Sequence, residues 1–180
     1  MKLNYISKIK DLQLDNSFKR IRGGIILYCI HPNGTTMLGM GIDRISKEIT
    51  DFGGGIKRDE TFIEGSLREF NEESLDVFCD VVTHELLEDS YGIVGKNLII
   101  IFAKVPYEIY YQRTELFTQK YLNSVSMSKS VEVIAIVWIK REILEKLIED
   151  NKNSFEDKNN LYKVVKSVLK ETKEVFDMLT

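Results

Sequence analysis

Apolar residues in this chain fall into dense blocks separated by turn-forming clusters, and the spacing inside each block predicts its element. Residues 1 to about 18 are polar and weakly patterned, a loose lead-in strand at most. Arg22 to Ile30 (RGGIILYCI) is rich in β-branched and aromatic residues, and His31-Pro32-Asn33-Gly34 then supplies turn chemistry. Thr35 to Ile42 reads as the second arm of that hairpin, and Ile49 to Phe52 as another short strand. A helix is expected from Thr61 to about Ser74. Thr61 and Glu64 stand in the T-x-x-E relation of a capping box, and Phe62, Ile63, Ser66, Leu67 and Phe70 give an apolar or small face. Strands are expected near Val77 to Val82, Ser90 to Val94 and Asn97 to Val105, the last stopped by Pro106. Tyr107 to Asn123 fits either a helix or a long loop.

Val131 to Lys140 (VEVIAIVWIK) reads as a strand and Glu142 to Asp150 as a short helix, followed by a polar break over Asn151 to Asn160. Leu161 to Leu179 reads as one amphipathic helix, with Leu161, Val164, Val165, Val168, Leu169, Val175 and Phe176 in a single stripe. Strands before and after one central helix, closed by late helices, predict an α/β protein with a mixed sheet between helical layers.

Composition bounds this picture without changing it. A chain of 180 residues suits one domain over 1–180, with a core at about 19–150 and the last helix packed on it. Hydrophobic residues make up 43% and charged residues 29%, which argues against disorder. The formal charge of −3 gives no footprint for a dedicated nucleic-acid binder, so an anionic substrate needs local help from metal or from a few placed cations. Cys29 and Cys79 lie in apolar stretches without metal-ligand spacing and read as reduced core thiols. No apolar run approaches the roughly 18 residues of a membrane span, and the amino terminus lacks a signal-peptide core, so a cytoplasmic protein is expected.

The chemistry concentrates in one segment: Gly54, Glu60, then Arg68-Glu69-Phe70-Asn71-Glu72-Glu73. Helical spacing puts Glu69, Glu72 and Glu73 on one face, where like charges repel. A bound cation relieves that repulsion, and oxygen-only ligands suit a hard ion such as Mg²⁺ or Mn²⁺, which completes its shell with water and phosphate. A lone glutamate triplet is more commonly a solvated face; here the surrounding pattern adds weight.

These residues resemble the Nudix box, G-x5-E-x7-R-E-U-x-E-E-x-G-U with U bulky and apolar, and Gly54, Glu60, Arg68, Glu69, Phe70, Glu72 and Glu73 match it in register. Val133 to Leu147 also resembles the late strand-Trp-helix unit of the family. The end of the box departs, with Leu75 at the glycine position and Asp76 at an apolar one, which places the helix end in question. The resemblance implies a Nudix-type α/β/α sandwich with an extra C-terminal amphipathic helix. It implies that Glu69, Glu72, Glu73 and the Gly53 carbonyl bind metal, and that Glu60 and Arg68, with Gly54, support the site. Glu69 is the first candidate for the general base and Glu132 the reserve. The activity implied is hydrolysis of a phosphoanhydride in a small nucleoside-diphosphate-linked substrate by metal-activated water.

Narrower readings rest on single features. Tyr91 lies where dinucleoside-polyphosphate hydrolases of the family carry a tyrosine, and the triple glycine resembles diphosphoinositol-polyphosphate hydrolases. Messenger-RNA decapping lacks a long basic region to hold RNA. A catalytically idle nucleotide-binding regulator is the alternative of another class. Arg20, Arg22, Lys57 and Arg58 are each as consistent with surface charge as with phosphate contact. The last helix's stripe fits a homodimer contact as well as core packing.

Overall fold

The computed structural model describes residues 4–12, 22–150 and 160–180. Among them, eight strands build one mixed sheet: β1 (Tyr5–Lys8), β2 (Arg22–Ile30), β3 (Thr36–Asp43), β4 (Ile49–Thr50), β5 (Phe52–Gly55), β6 (Tyr91–Val94), β7 (Leu98–Lys104) and β8 (Val133–Lys140). The main path runs β1-β6-β7-β2-β3-β4, with β5 against β2 and β8 against β3. Central β2 pairs in parallel with β7 along one edge. Its other edge is shared: Arg22 to Ile25 pair with β5, and Leu27 to Ile30 pair with β3.

Because a strand alternates its side chains, β2 feeds two cores at once. Ile25, Leu27 and Cys29 face one layer, formed by α1 (Phe62–Glu73), α2 (His84–Asp89) and α3 (Tyr107–Ser126). Ile26 and Tyr28 face the other, with Leu144 and Ile148 of α4 (Arg141–Glu149) and Val165, Val168 and Leu169 of α5 (Lys163–Glu171). The architecture is the α/β/α sandwich with a mixed sheet that the pattern predicts. No helix among the described residues is long and apolar enough to cross a membrane.

Several elements differ from expectation. Val77 to Val82 forms successive turns, not a strand: the Phe78 carbonyl accepts from both Val81 N and Val82 N, at 2.9 and 2.8 Å. Val77, Phe78 and Val82 are buried, so their hydrophobicity reflects anchoring of the turns under α2 and α3 rather than strand alternation. Tyr107 to Ser126 is a helix, started by Pro106, with Phe117 as its one buried side chain. Its pattern is faint because most of its surface faces water. The expected helix over 161–179 breaks at Thr172, whose hydroxyl donates back to Val168 O at 2.7 Å. The chain continues as a tight 3-10 segment, Lys173–Met178. Cys29 is buried as expected, but Cys79 is exposed on the turn; both are free. The lead-in over 13–21 and the polar break over 151–159, with Arg20, lie outside the described residues.

Candidate active site

The site is set by how closely α1 approaches the sheet. Gly23 and Gly24 of β2 pair with Gly54 and Gly53 of β5, making a patch with no side chains. A Cβ on Gly54 would lie 2.5 Å from the Glu69 carboxyl carbon, one on Gly53 would lie 2.5 Å from Gly24 Cα, and one on Gly23 would overlap Ser66. Glycine is required here for approach rather than for turning. The capping box forms: Thr61 Oγ1 accepts from Glu64 N and Glu64 Oε2 from Thr61 N. The helix therefore starts at a fixed point and its carboxylates reach the patch in register.

At one side of this contact, one guanidinium ties the carboxylates together. Arg68 Nε donates to Glu60 Oε1 at 2.6 Å, and its terminal nitrogens donate to Glu60 Oε2 at 3.0 Å, Gly55 O at 3.0 Å and Glu69 Oε1 at 2.7 Å. Lys57 N also donates to Glu60. The Arg68 hydrogen bonds, with that backbone donor, pull the Glu60 carboxyl down to about 2. Glu72 is exposed, with Oε1 3.6 Å from Arg68.

At the other side, no ion pair reaches Glu73 among the described residues. Glu73 Oε2 accepts from Gly53 N at 2.7 Å, yet burial pushes its carboxyl up to about 8, and the nearby negative charges of Asp51 and Glu132 add to the rise. Asp51, fully buried, is held by Arg22 through two bonds of 2.5 and 2.7 Å, and Arg22 also donates to Gly53 O at 3.2 Å. Two clefts meet at this point. One of about 340 Å³ is lined by Arg22, Asp43, Glu48, Gly53 and Tyr162, among others. One of about 180 Å³ is lined by Glu69, Glu72, Leu75 and Ser130. Glu73 and Glu132 line both.

The fold thus brings Glu69, Glu72, Glu73 and Glu132 to one cleft, although Glu132 is 59 positions from Glu73 in the chain (132 − 73). Among the described residues, no three His, Cys, Asp or Glu side chains converge as they stand on a single metal position. Arg68 supplies the positive charge beside Glu69 and Glu72. The donor chemistry nevertheless fits a hard cation: every side-chain donor is oxygen, and the half-buried Glu73 carboxyl stands near the carboxylates of Asp51 and Glu132.

The helix end, where Leu75 and Asp76 depart from the box, is a defined turn. Both adopt left-handed backbone, at φ 55° and 57°, the conformation glycine would take at lower strain. Helix α3 braces it: Lys120 Nζ donates to Leu75 O at 2.8 Å, and Arg113 donates to Val77 O at 2.9 Å and to Asp80 at 2.6 Å.

Of the other sequence candidates, Arg22 lines the larger cleft but is bound to Asp51. Lys57 and Arg58 are exposed on the loop before α1 and line neither cleft. Tyr91 also lines neither; its ring lies under Lys8 Nζ at 5.3 Å on β6. Sequence reasoning missed Asp51 and Tyr162. Asp51 becomes visible only once strand register sets it beside Arg22, and Tyr162 is brought in by an edge pairing far along the chain.

No protein-family model matches this chain, and no curated protein matches it in sequence. Solved structures do match in fold. A MutT/nudix family protein from Listeria innocua superposes with a TM-score of 0.50 at 14% identity, over 88% of this chain and 94% of that one. A Nudix hydrolase from M. smegmatis gives 0.49 at 10% identity, over 88% and 87%. An Ap4A hydrolase from C. elegans gives 0.48 at 14%, over 89% and 100%. The likeness to the Listeria innocua protein makes the fold that of Nudix proteins, as the resemblance of residues 54–76 implies.

Proposed function

We propose that this chain is a Mg²⁺- or Mn²⁺-dependent Nudix-type hydrolase that cleaves a phosphoanhydride in a nucleoside-diphosphate-linked small molecule. The observation that carries the reading is the half-buried Glu73 carboxyl, held on the Gly53 N–H and lining one cleft with Glu69, Glu72 and Glu132 where two clefts meet. Glu69, Glu72, Glu73 and the Gly53 carbonyl would hold the cation, which when bound neutralises phosphate charge and acidifies the attacking water.

The chain's own residues do the rest. Glu60 and Arg68 fix the loop before α1 against the helix, so the carboxylates keep their height above the glycine patch. A carboxylate accepts the proton of the attacking water: Glu69 is the first candidate, and Glu132, exposed and bordering both clefts, is the second. Arg22, fixed by Asp51, keeps positive charge at the back of the larger cleft. Within this class, capped RNA, dinucleoside polyphosphates and diphosphoinositol polyphosphates are narrower candidates. Both cysteines are free, which fits a reducing compartment such as the cytoplasm.

A nucleotide-binding regulator without activity is the competing reading. The intact set of three glutamates supports catalysis, and the departure from the box at Leu75 and Asp76 falls in a braced turn past the end of α1. The test is hydrolysis of a panel of nucleotides, dinucleotides and nucleotide sugars with Mg²⁺ or Mn²⁺, alongside Glu73→Gln. Metal-dependent turnover lost in the variant is expected. Tight nucleotide binding without turnover on any compound would replace this reading with the regulator.

A further inference from the structure

The larger cleft extends beyond the carboxylates of α1, and its far wall comes from the C-terminal chain. Tyr162 N donates to Ile49 O at 2.8 Å and Ile49 N donates to Asn160 O at 2.9 Å, so residues 160–162 run alongside β4 as an added edge. That pairing sets Tyr162 in the cleft wall, partly buried against the core that includes α4 and α5. Opposite in the sequence stands the turn after β3, fixed by Asp43 Oδ1, which accepts from Ile45 N at 2.8 Å and Ser46 N at 2.6 Å. Ile45, at the tip of this turn, is 83% exposed yet lines the same cleft. Tyr162 and Ile45 therefore bring apolar surface to a lining otherwise made of carboxylates, Arg22 and small polar residues.

The charge of that space is one-sided. Asp43, Glu48, Asp51, Glu73 and Glu132 line it against Arg22, the one cation among its described lining residues, and Arg22 is already bound to Asp51. Phosphates gain nothing from such a lining without cations; an uncharged or cationic group with an apolar face does. At about 340 Å³ the cleft is of small-ligand size.

We propose that this cleft is the subsite for the non-phosphate head group of the substrate, walled by Tyr162 and Ile45, and that it accepts an uncharged or cationic head while rejecting one that carries a further anion. The inference rests on the hydrolytic reading only in placing the phosphates beside Glu73. It makes Tyr162 and Glu48 specificity-determining residues, outside the box and supplied by separate parts of the chain.

Two matched compound sets test it with the full chain. The first is a uridine diphosphate linked to glucose, glucosamine or glucuronate; the second is ADP-ribose with and without a 2′-phosphate on the nucleoside. In at least one set the anionic member should show a KM about tenfold or more above its neutral partner, because an added charge meets the carboxylates of Asp43, Glu48 and Glu132. Glu48→Lys, a change at a partly exposed position, should narrow that gap. Tyr162→Ala should raise KM for the neutral member about tenfold, with the effect on KM rather than kcat, and Tyr162→Phe should restore most of it. Equal KM values for neutral and anionic members in both sets would overturn the inference while leaving hydrolysis standing. So would KM ratios that neither variant alters. If no compound is turned over, the hydrolytic reading falls, and the same ratios measured as Kd by ligand-observed NMR decide the subsite: head-dependent binding altered by Glu48→Lys supports it, and indifferent binding overturns it.

Discussion

Two carboxylates, thirteen residues apart and touching the same helix, have opposite electrostatic fates. Glu60 is matched by the Arg68 guanidinium and a backbone N–H, and its carboxyl is pulled down to about 2. Glu73 is half-buried on a single backbone N–H with Asp51 and Glu132 nearby, and its carboxyl is pushed up to about 8. The Glu60 carboxylate has a guanidinium bonded to it; among the described residues the Glu73 carboxylate has no such partner. The two carboxyls therefore diverge by whether a cationic side chain bonds them directly or burial and like charge surround them.

The largest expected effect is functional. Glu73→Gln should lower turnover by about a thousandfold, as loss of a ligand to a catalytic cation does. Its amide oxygen can still accept from Gly53 N, so the fold should be as stable as the parent or more so at pH 8 without metal. Next comes the buried pair behind the site. Asp51→Ala strands Arg22 against the sheet and should destabilise by about 3–5 kcal/mol in chemical denaturation. Arg68→Met strips Glu60 and Glu69 of their partner; it should reduce activity roughly 10–100-fold and lower the thermal midpoint, as losses of supporting residues around metal sites do.

The pH dependence separates the two carboxylates more finely. Glu60 is more acidic in the fold than its ordinary 4.5, so its contribution is present above that value and is lost as pH falls toward about 2. Glu60→Gln should flatten that acid limb of a stability profile. Glu73 is raised from 4.5 to about 8, so the metal-free fold holds its proton more tightly than the unfolded chain does. Stability from this group should fall as pH rises through that window, and Glu73→Gln should remove the slope. The smallest effect expected is at the helix end. Asp76→Gly, at an exposed left-handed residue, should stabilise by less than about 1 kcal/mol.

Much of this was legible before any coordinates. The capping box, the glutamates on one helix face and the edges of β2, β7 and β8 follow from local rules, and local rules hold where side chain and backbone satisfy one another within a few residues. What escaped depends on distant partners. The turns over 77–82 look like a strand because their apolar residues serve the α2–α3 layer. Helix α3 is nearly mute because only Phe117 is fully buried. Thr172 ends α5 by bonding back to the preceding turn, where propensity alone allows the helix to continue. The pairing of Gly23 and Gly24 with Gly54 and Gly53 is invisible without register, although both glycine runs stand out in the sequence. The Arg22–Asp51 pair and Tyr162 fall in the same group, and these residues form the wall of the larger cleft.

The most direct test measures activity and stability on the same preparations of parent and Glu73→Gln, at pH 8, with and without Mn²⁺. The account predicts that the parent hydrolyses a nucleoside-diphosphate-linked compound only with metal, and that Mn²⁺ raises its thermal midpoint. The variant should fold at least as stably without metal, gain nothing from Mn²⁺ and lack turnover. A Glu73→Gln chain that keeps its activity, or a parent whose midpoint ignores the metal, would contradict the claim that this end of the helix awaits a cation.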